Sequence, residues 1–152
     1  MTDEIATESV PQSGDIPAWY WVAVVCAILF EALGCYIFFL EVRMTAADIA
    51  ALPIDQQPLL AARPDWYYIA FGVAVWAGLI GTLGLLLRKK QAVPTLLVSL
   101  VAVVVQFSSI FIVPAMRAVT PSDALFLPVV ILIICYGIFM LGRLAQRRGW
   151  LR

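Results

Sequence analysis

Histidine is absent from this chain of 152 residues, and charged residues make up only 13% of it. Without histidine the chain lacks the side chain most often used as a metal ligand and as a general base near neutral pH. Ten acidic residues balance ten basic ones, and no basic tract is interleaved with polar residues as in nucleic-acid-binding proteins. The sequence therefore predicts no nucleic-acid partner.

Cysteine is also scarce, and Cys26, Cys35 and Cys135 all lie inside apolar runs without a CxxC spacing. Cys26 and Cys35 lie nine positions apart on one predicted helix, so they cannot form a disulfide with each other. We expect all three to be small buried apolar side chains. No metal-ligand spacing is present, so we predict that the chain is not an enzyme and has no cofactor and no metal.

Apolar residues dominate the chain instead, at 63%, with a mean hydropathy of +0.96. Soluble domains contain only about 45–50% apolar residues. Four apolar stretches reach the roughly 20 residues with which a helix crosses a hydrocarbon core of about 30 Å. They lie at about 19–41, 66–87, 92–113 and 121–143. The sequence predicts an all-α, polytopic membrane protein whose partner is the lipid bilayer, with a four-helix transmembrane bundle over residues 19–143.

The distribution of basic residues predicts the orientation of this bundle. Seven of them fall on the side of the turn at 88–90: Arg88, Lys89, Lys90, Arg143, Arg147, Arg148 and Arg152. Three fall on the other side: Arg43, Arg63 and Arg117. Because basic residues accumulate on the cytoplasmic side of membrane proteins, we expect both termini in the cytoplasm.

The segments outside the spans are short. Residues 1–18 are acidic and lack the apolar core of a signal peptide, which predicts a disordered N-terminal tail. Residues 144–152 are predicted to be a basic cytoplasmic tail. In the outer loop, 42–65, "TAAD" at 45–48 predicts a short capped helix that ends before Pro53. We expect this loop to be a connector on the outer surface; a lid or a partner-docking segment is the alternative.

Small residues form a stripe along the second span. Its members are Ala70, Ala74, Ala77, Gly81 and Gly84, widened by Gly78. Spacings that alternate between four and three residues average 3.5, the period of a left-handed helix contact, and small residues let membrane helices approach closely. We expect this face to pack against span one or three of the same chain; a homodimer contact is the alternative.

"AILFEALGCY", residues 27–36, places Glu31 near the middle of the first span. A charged group there costs roughly 2.5–3.5 kcal/mol on insertion scales, and no Lys or Arg lies at the same depth. We predict a buried polar cluster of Glu31, Trp76, Gln106 and Tyr136. It would be either a protonated glutamate that sets helix register by hydrogen bonding, or a site for proton coupling or a cationic ligand.

Residues 44–107 resemble a family of uncharacterised bacterial four-helix membrane proteins. The features that carry the resemblance are "MT…ALP", "PDW", "AVWAGLIGTLGLLLRKKQAVP" and "SL…VQF". Some members are named "sugar transporter". The resemblance implies a location in a bacterial cytoplasmic (inner) membrane. In that family's pattern asparagine often stands where this chain has Glu31, which implies that a carboxylate is not required there and favours a hydrogen-bonding role.

A shorter stretch, "AILFEALG", is similar to the first helix of the small multidrug resistance transporters, which also have four short helices and a glutamate in the first. That resemblance implies a dimeric proton/drug antiporter with Glu31 as the shared site. The rest of the chain departs from their pattern, because the outer loop is far longer and their later motifs are missing.

These features favour two classes of function. The first is a structural or accessory integral membrane protein that associates with a larger membrane complex or with itself, and it requires only the helices. The second is a small proton-coupled transporter in which Glu31 is the protonatable group. Four short helices rarely enclose a solute path alone, so we expect such a transporter to act as an oligomer.

Overall fold

A computed structural model describes residues 16–54 and 56–152 of the chain. All regular structure in these residues is helical. The helices are α1 (Ala18–Val42), α2 (Ala46–Ala50), α3 (Gln57–Ala61), α4 (Asp65–Leu86), α5 (Ala92–Ile112), α6 (Pro114–Val119) and α7 (Phe126–Arg147), with a 3-10 helix at Ser122–Leu125. Four helices are long and apolar enough to cross a membrane: α1, α4, α5, and α7 with its 3-10 turn. The all-α prediction and the four apolar helices are confirmed.

The four long helices alternate in direction. α1 packs against α4, α4 against α5 and α5 against α7, whereas α1 and α7 have no comparable contact in the described part of the chain. One end of the bundle contains the start of α1, the turn between α4 and α5, and the end of α7; we call it the basic end. The other end contains residues 43–54, residues 56–64 and α6, and we call it the loop end.

The basic-end half of the bundle has a continuous apolar core. Its buried members come from all four long helices and from the segment after α7: Tyr20, Val24, Ala27, Leu85, Ala92, Val93, Leu96, Ile138, Phe139, Ala145, Trp150 and Leu151. The Tyr20 hydroxyl donates a hydrogen bond to the Leu85 carbonyl at 3.0 Å and so joins α1 to α4 inside this core. This half of the molecule is therefore solidly packed.

The segment that follows α7 is folded back onto the basic end. Gly149 has a φ of +69°, a conformation that glycine adopts without a steric cost, and the Trp150 N–H donates to the Ala145 carbonyl at 2.9 Å. Lys90 N–H donates to the Arg152 carbonyl at 3.0 Å, and the Arg88 Nε–H donates to the Trp150 carbonyl at 2.7 Å. The prediction of a basic tail at 144–152 is corrected, since α7 continues to Arg147 and Trp150 is buried.

The start of the fourth long helix also differs from the prediction. Residues 122–125 form the 3-10 turn, and α7 begins at Phe126 rather than at 121. Pro128 therefore lies in the first turn of α7. Backbone N–H groups in a first turn have no acceptor within the helix, so the N–H that proline lacks costs no helical hydrogen bond here.

The loop end begins with the predicted capped helix. The Thr45 N–H and hydroxyl both donate to Asp48 Oδ2 at 2.7 Å, and the Asp48 N–H donates to Thr45 Oγ1 at 3.3 Å. These hydrogen bonds from Thr45 hold the pKa of Asp48 below its usual range. α2 then ends before Pro53, as expected. The predicted N-terminal tail falls largely outside the described residues, which begin at Ile16.

The stripe on α4 lies inside the chain and faces two helices. A Cβ built on Gly78 would overlap the carboxyl group of Glu31 on α1. One built on Gly81 would come within 2.7 Å of the Leu96 side chain on α5. Ala70 and Ala74 are buried as well, and Ala77 and Gly84 are half-buried. Small residues thus allow the close approach of α4 to both α1 and α5.

Candidate functional site

A cavity of about 290 Å³ occupies the half of the bundle nearer the loop end. It is bordered by α1, α4, α5 and α7, and it separates α1 from α7 where these two helices do not pack. Most of its wall is apolar, with aromatic rings from Phe30, Phe71 and Phe107. A concave apolar pocket with a few polar groups is the usual form of a small-molecule site.

Glu31 lies at the floor of this cavity, beside Ala74, Val103 and Cys135. Its side chain is packed against Gly78, and the residue is only 4% exposed. No hydrogen bond to its carboxyl group is present among residues 16–54 and 56–152. A buried carboxyl group without a partner is costly, so this group is available to a proton or to a ligand in the cavity.

Gln106 also lines the cavity, but it is bonded to Tyr67 rather than to Glu31. Its Nε2 donates to the Tyr67 hydroxyl at 3.1 Å, and both residues are buried. This pair joins α4 to α5 on the cavity wall, closer to the loop end than Glu31.

The other two members of the predicted cluster are not in the bundle interior. Trp76 is 52% exposed and Tyr136 is 54% exposed, both on the outer surface. The error is one of helix phase: each residue turns a helix by about 100°, so Trp76 is rotated by about 200° from buried Ala74, and Tyr136 by about 100° from buried Cys135. Trp76 and Tyr136 were predicted from their depth along the helix axis, but depth does not determine whether a side chain faces the bundle interior.

An ion pair stands at the loop end of the cavity. The Arg63 Nη1 atom lies 2.5 Å from Glu41 Oε2, and the guanidinium carbon lies 4.7 Å from the centre of the Tyr67 ring. Both Arg63 and Glu41 line the cavity. Arg63 is inserted between the end of α1 and the start of α4, where Glu41 neutralises its charge.

The remaining buried polar side chains are bonded to backbone carbonyls. The Ser99 hydroxyl donates to the Ala74 carbonyl at 2.7 Å, and the Thr82 hydroxyl donates to the Gly78 carbonyl at 3.0 Å. The Ser109 hydroxyl donates to the Gln106 carbonyl at 2.6 Å. These groups are satisfied within the fold. Of the two carboxyl groups that line the cavity in the described part of the chain, Glu41 is paired with Arg63 and Glu31 has no hydrogen-bond partner.

A scan against protein-family models, a search of curated proteins and a search of solved structures each find no match to this chain.

Sequence reasoning missed the polar residues at the loop end of the cavity, among them Glu41, Arg63 and Tyr67. A signal for the first two was present, because Glu41 ends the first span and Arg63 precedes the second. Where one span ends and the next begins, the two chain positions lie at the same membrane level, so the opposite charges of Glu41 and Arg63 could have been expected to meet. Tyr67 sits in the aromatic cluster at 66–68, which is also typical of the headgroup region, so its inward direction was not visible in the pattern.

Proposed function

We propose that this protein is a multi-pass protein of a bacterial cytoplasmic membrane that binds a small apolar amine in the cavity, with Glu31 as the group that meets the positive charge. The observation that carries this proposal is the buried carboxyl group of Glu31, which lies at the cavity floor without a hydrogen-bond partner in the described residues. An apolar wall suits an apolar ligand body, and a carboxylate suits a cationic or donor group.

The proposed orientation has the basic end in the cytoplasm and the loop end outside. Its support is the gathering of seven basic side chains at one end of the bundle, because such residues are retained on the cytoplasmic side. In this orientation the cavity lies in the outer half of the membrane, and both ends of the described chain lie inside.

The packed basic-end half leaves no path through the bundle in this conformation. This favours an accessory or binding protein over a channel. Transport coupled to protons, in which a proton and the amine compete for Glu31, is the second candidate and requires a further conformation in which the basic-end core opens. The α4 stripe is used inside the chain, so an oligomer would need another helix face.

The test is an infrared titration of the Glu31 carboxyl band in lipid bilayers, identified by its loss in Glu31→Gln. We expect the band to change with pH and to change again when octylamine is added. Octanol has the same chain length without the positive charge, and it should leave the band unaltered.

A carboxyl band that responds neither to pH nor to octylamine would contradict the proposed binding function. It would leave Glu31 with a structural role in helix register, as expected of a purely accessory protein. A band that octanol shifts as strongly as octylamine would also contradict the proposal, because the apolar chain alone would then account for the effect.

A further inference from the structure

The cavity is open on one side of the bundle, between α1 and α7. Three of its lining residues are exposed: Leu33 and Ile37 on α1, at 56% and 41%, and Leu127 on α7, at 63%. Every lining residue on α4 and α5 is buried or half-buried. Because α1 and α7 do not pack extensively against each other in the described chain, these three side chains mark a gap between the two helices, which we call the lateral opening.

The loop end of the cavity is covered. α3 and α6 contact each other there, and each contributes a lining side chain, Leu59 from α3 and Met116 from α6. Met116 is only 2% exposed, and Leu59 is half-buried. The paired side chains of Arg63 and Glu41 line the cavity here and are half-buried too. No cavity-lining residue is exposed in the described part of the loop end, so the exposed part of the cavity wall faces the side of the bundle.

The lateral opening lies at the depth of lipid hydrocarbon. Leu33 and Ile37 precede the last residue of α1 by nine and five residues, which is about 14 and 8 Å at about 1.5 Å per residue. Half of a hydrocarbon core is about 15 Å thick. Apart from Glu31, α1 has no charged residue before Glu41, and α7 has none before Arg143. Lipid chains rather than water therefore surround the opening.

We propose that the cavity takes its ligand from the membrane through the lateral opening, and that this ligand is a long-chain alkyl amine. Its amine lies at Glu31, and its chain extends between α1 and α7 into the surrounding lipid. This inference rests on the proposed function, because it assumes that the amine is held at Glu31. A plain hydrocarbon chain in the same place would leave the buried carboxyl group without a partner, which is costly, whereas an amine supplies one.

The open side also determines which chain lengths fit. A closed cavity of about 290 Å³ would exclude amines whose chains exceed its volume. With the lateral opening, the part of a longer chain that does not fit inside continues into lipid, where it is equally well solvated. Hexadecylamine should therefore bind as well as octylamine when both are compared at the same concentration in the membrane.

The first arm of the experiment locates the ligand chain. Hexadecylamine with a photoreactive diazirine in the half of its chain nearer the amine is added to the full-length protein in lipid bilayers, and crosslinked residues are identified by mass spectrometry. A hexadecanol probe has the same chain and diazirine without the positive charge. We expect the amine to label Leu33, Ile37 and Leu127 about tenfold more strongly than the alcohol, as one hydrogen bond to a charged group predicts. This excess should vanish in Glu31→Gln.

The second arm obstructs the opening. Ile37→Trp combined with Leu127→Trp places bulky rings on its two sides. Leu29→Trp combined with Ile133→Trp is the matched control, because these positions are also exposed on α1 and α7 but do not line the cavity. We expect hexadecylamine to shift the Glu31 carboxyl band of the obstructed variant only at an about tenfold higher membrane concentration. The control should respond like the unaltered protein, and equal melting temperatures would show that both variants are folded.

The outcomes separate this inference from the proposed function. If octylamine shifts the Glu31 band but the amine and alcohol probes label the opening equally, binding stands and the inference is overturned. Excess labelling at Leu59 or Met116 instead would also overturn it, because the chain would then lie under α3 and α6. An unchanged response in Ile37→Trp, Leu127→Trp would do the same. A Glu31 band that responds to neither amine would refute the proposed function and the inference that rests on it.

Discussion

At the scale of single residues, the position of Glu31 depends on the absence of a side chain at Gly78, its neighbour on α4. Gly78 has no side chain, and the Glu31 carboxyl group occupies the space that a Cβ would fill. This contact explains how a carboxylate is accommodated between α1 and α4 without an ion pair. It also fixes the direction of the side chain toward the cavity.

Gly78→Ala should therefore lower the thermal stability of the protein in detergent. The added methyl group overlaps Glu31, and overpacking of this kind costs about 1–3 kcal/mol. Gly137→Ala is the matched control, because a Cβ there meets nothing within 4 Å in the described structure. Melting temperatures that fall equally in the two variants would show that the Gly78 contact is not specific.

At the scale of elements, the segment after α7 determines how the basic end is closed. Trp150 packs edge-to-face against Tyr20 with a ring separation of 5.3 Å, and Arg88 and Lys90 bind the backbone on either side of Leu151. These contacts of the segment hold the turn between α4 and α5 against α1 and against the end of α7. The five residues 148–152 thus join parts of the chain that are distant in sequence.

Trp150→Ala should destabilise the protein by about 3–5 kcal/mol, the usual cost of removing a buried tryptophan side chain. Chemical unfolding in mixed micelles measures this change. Trp76→Ala is the control, since that ring is half exposed on the outer surface and its removal leaves no internal cavity. A loss at Trp76 as large as that at Trp150 would argue against a special role for the segment.

At the scale of the whole molecule, the sequence predicted the number, type and approximate bounds of the long helices, because hydrophobic length is a local property. It also predicted the capped helix at 45–48 from its residues alone. The surroundings of Glu31 were not predictable in this way. Depth along the helix axis follows from counting, whereas the direction of Trp76 or Tyr136 depends on the rotation of each helix against its neighbours. The folded segment at Trp150 was missed because its basic residues were typical of a solvated tail.

The proposed orientation is tested by cysteine labelling in a background of Cys26→Ala, Cys35→Ser and Cys135→Ala. We expect Ala47→Cys, at the loop end, to react with a membrane-impermeant maleimide in intact bacterial cells. Lys89→Cys, at the basic end, should react only after the membrane is permeabilised. Both positions are exposed, so access to the reagent decides the result. The reverse pattern would place the loop end in the cytoplasm.

The depth of Glu31 has an electrical consequence. In the proposed orientation a cation that enters the cavity from outside reaches Glu31 after crossing roughly half of the membrane potential. A full crossing is worth about 2.3 kcal/mol per elementary charge at 100 mV, so half is about 1.1 kcal/mol, or roughly a sevenfold change in occupancy. An inside-negative voltage would thus draw protons or amines toward this carboxyl group, and de-energising the cell would release them.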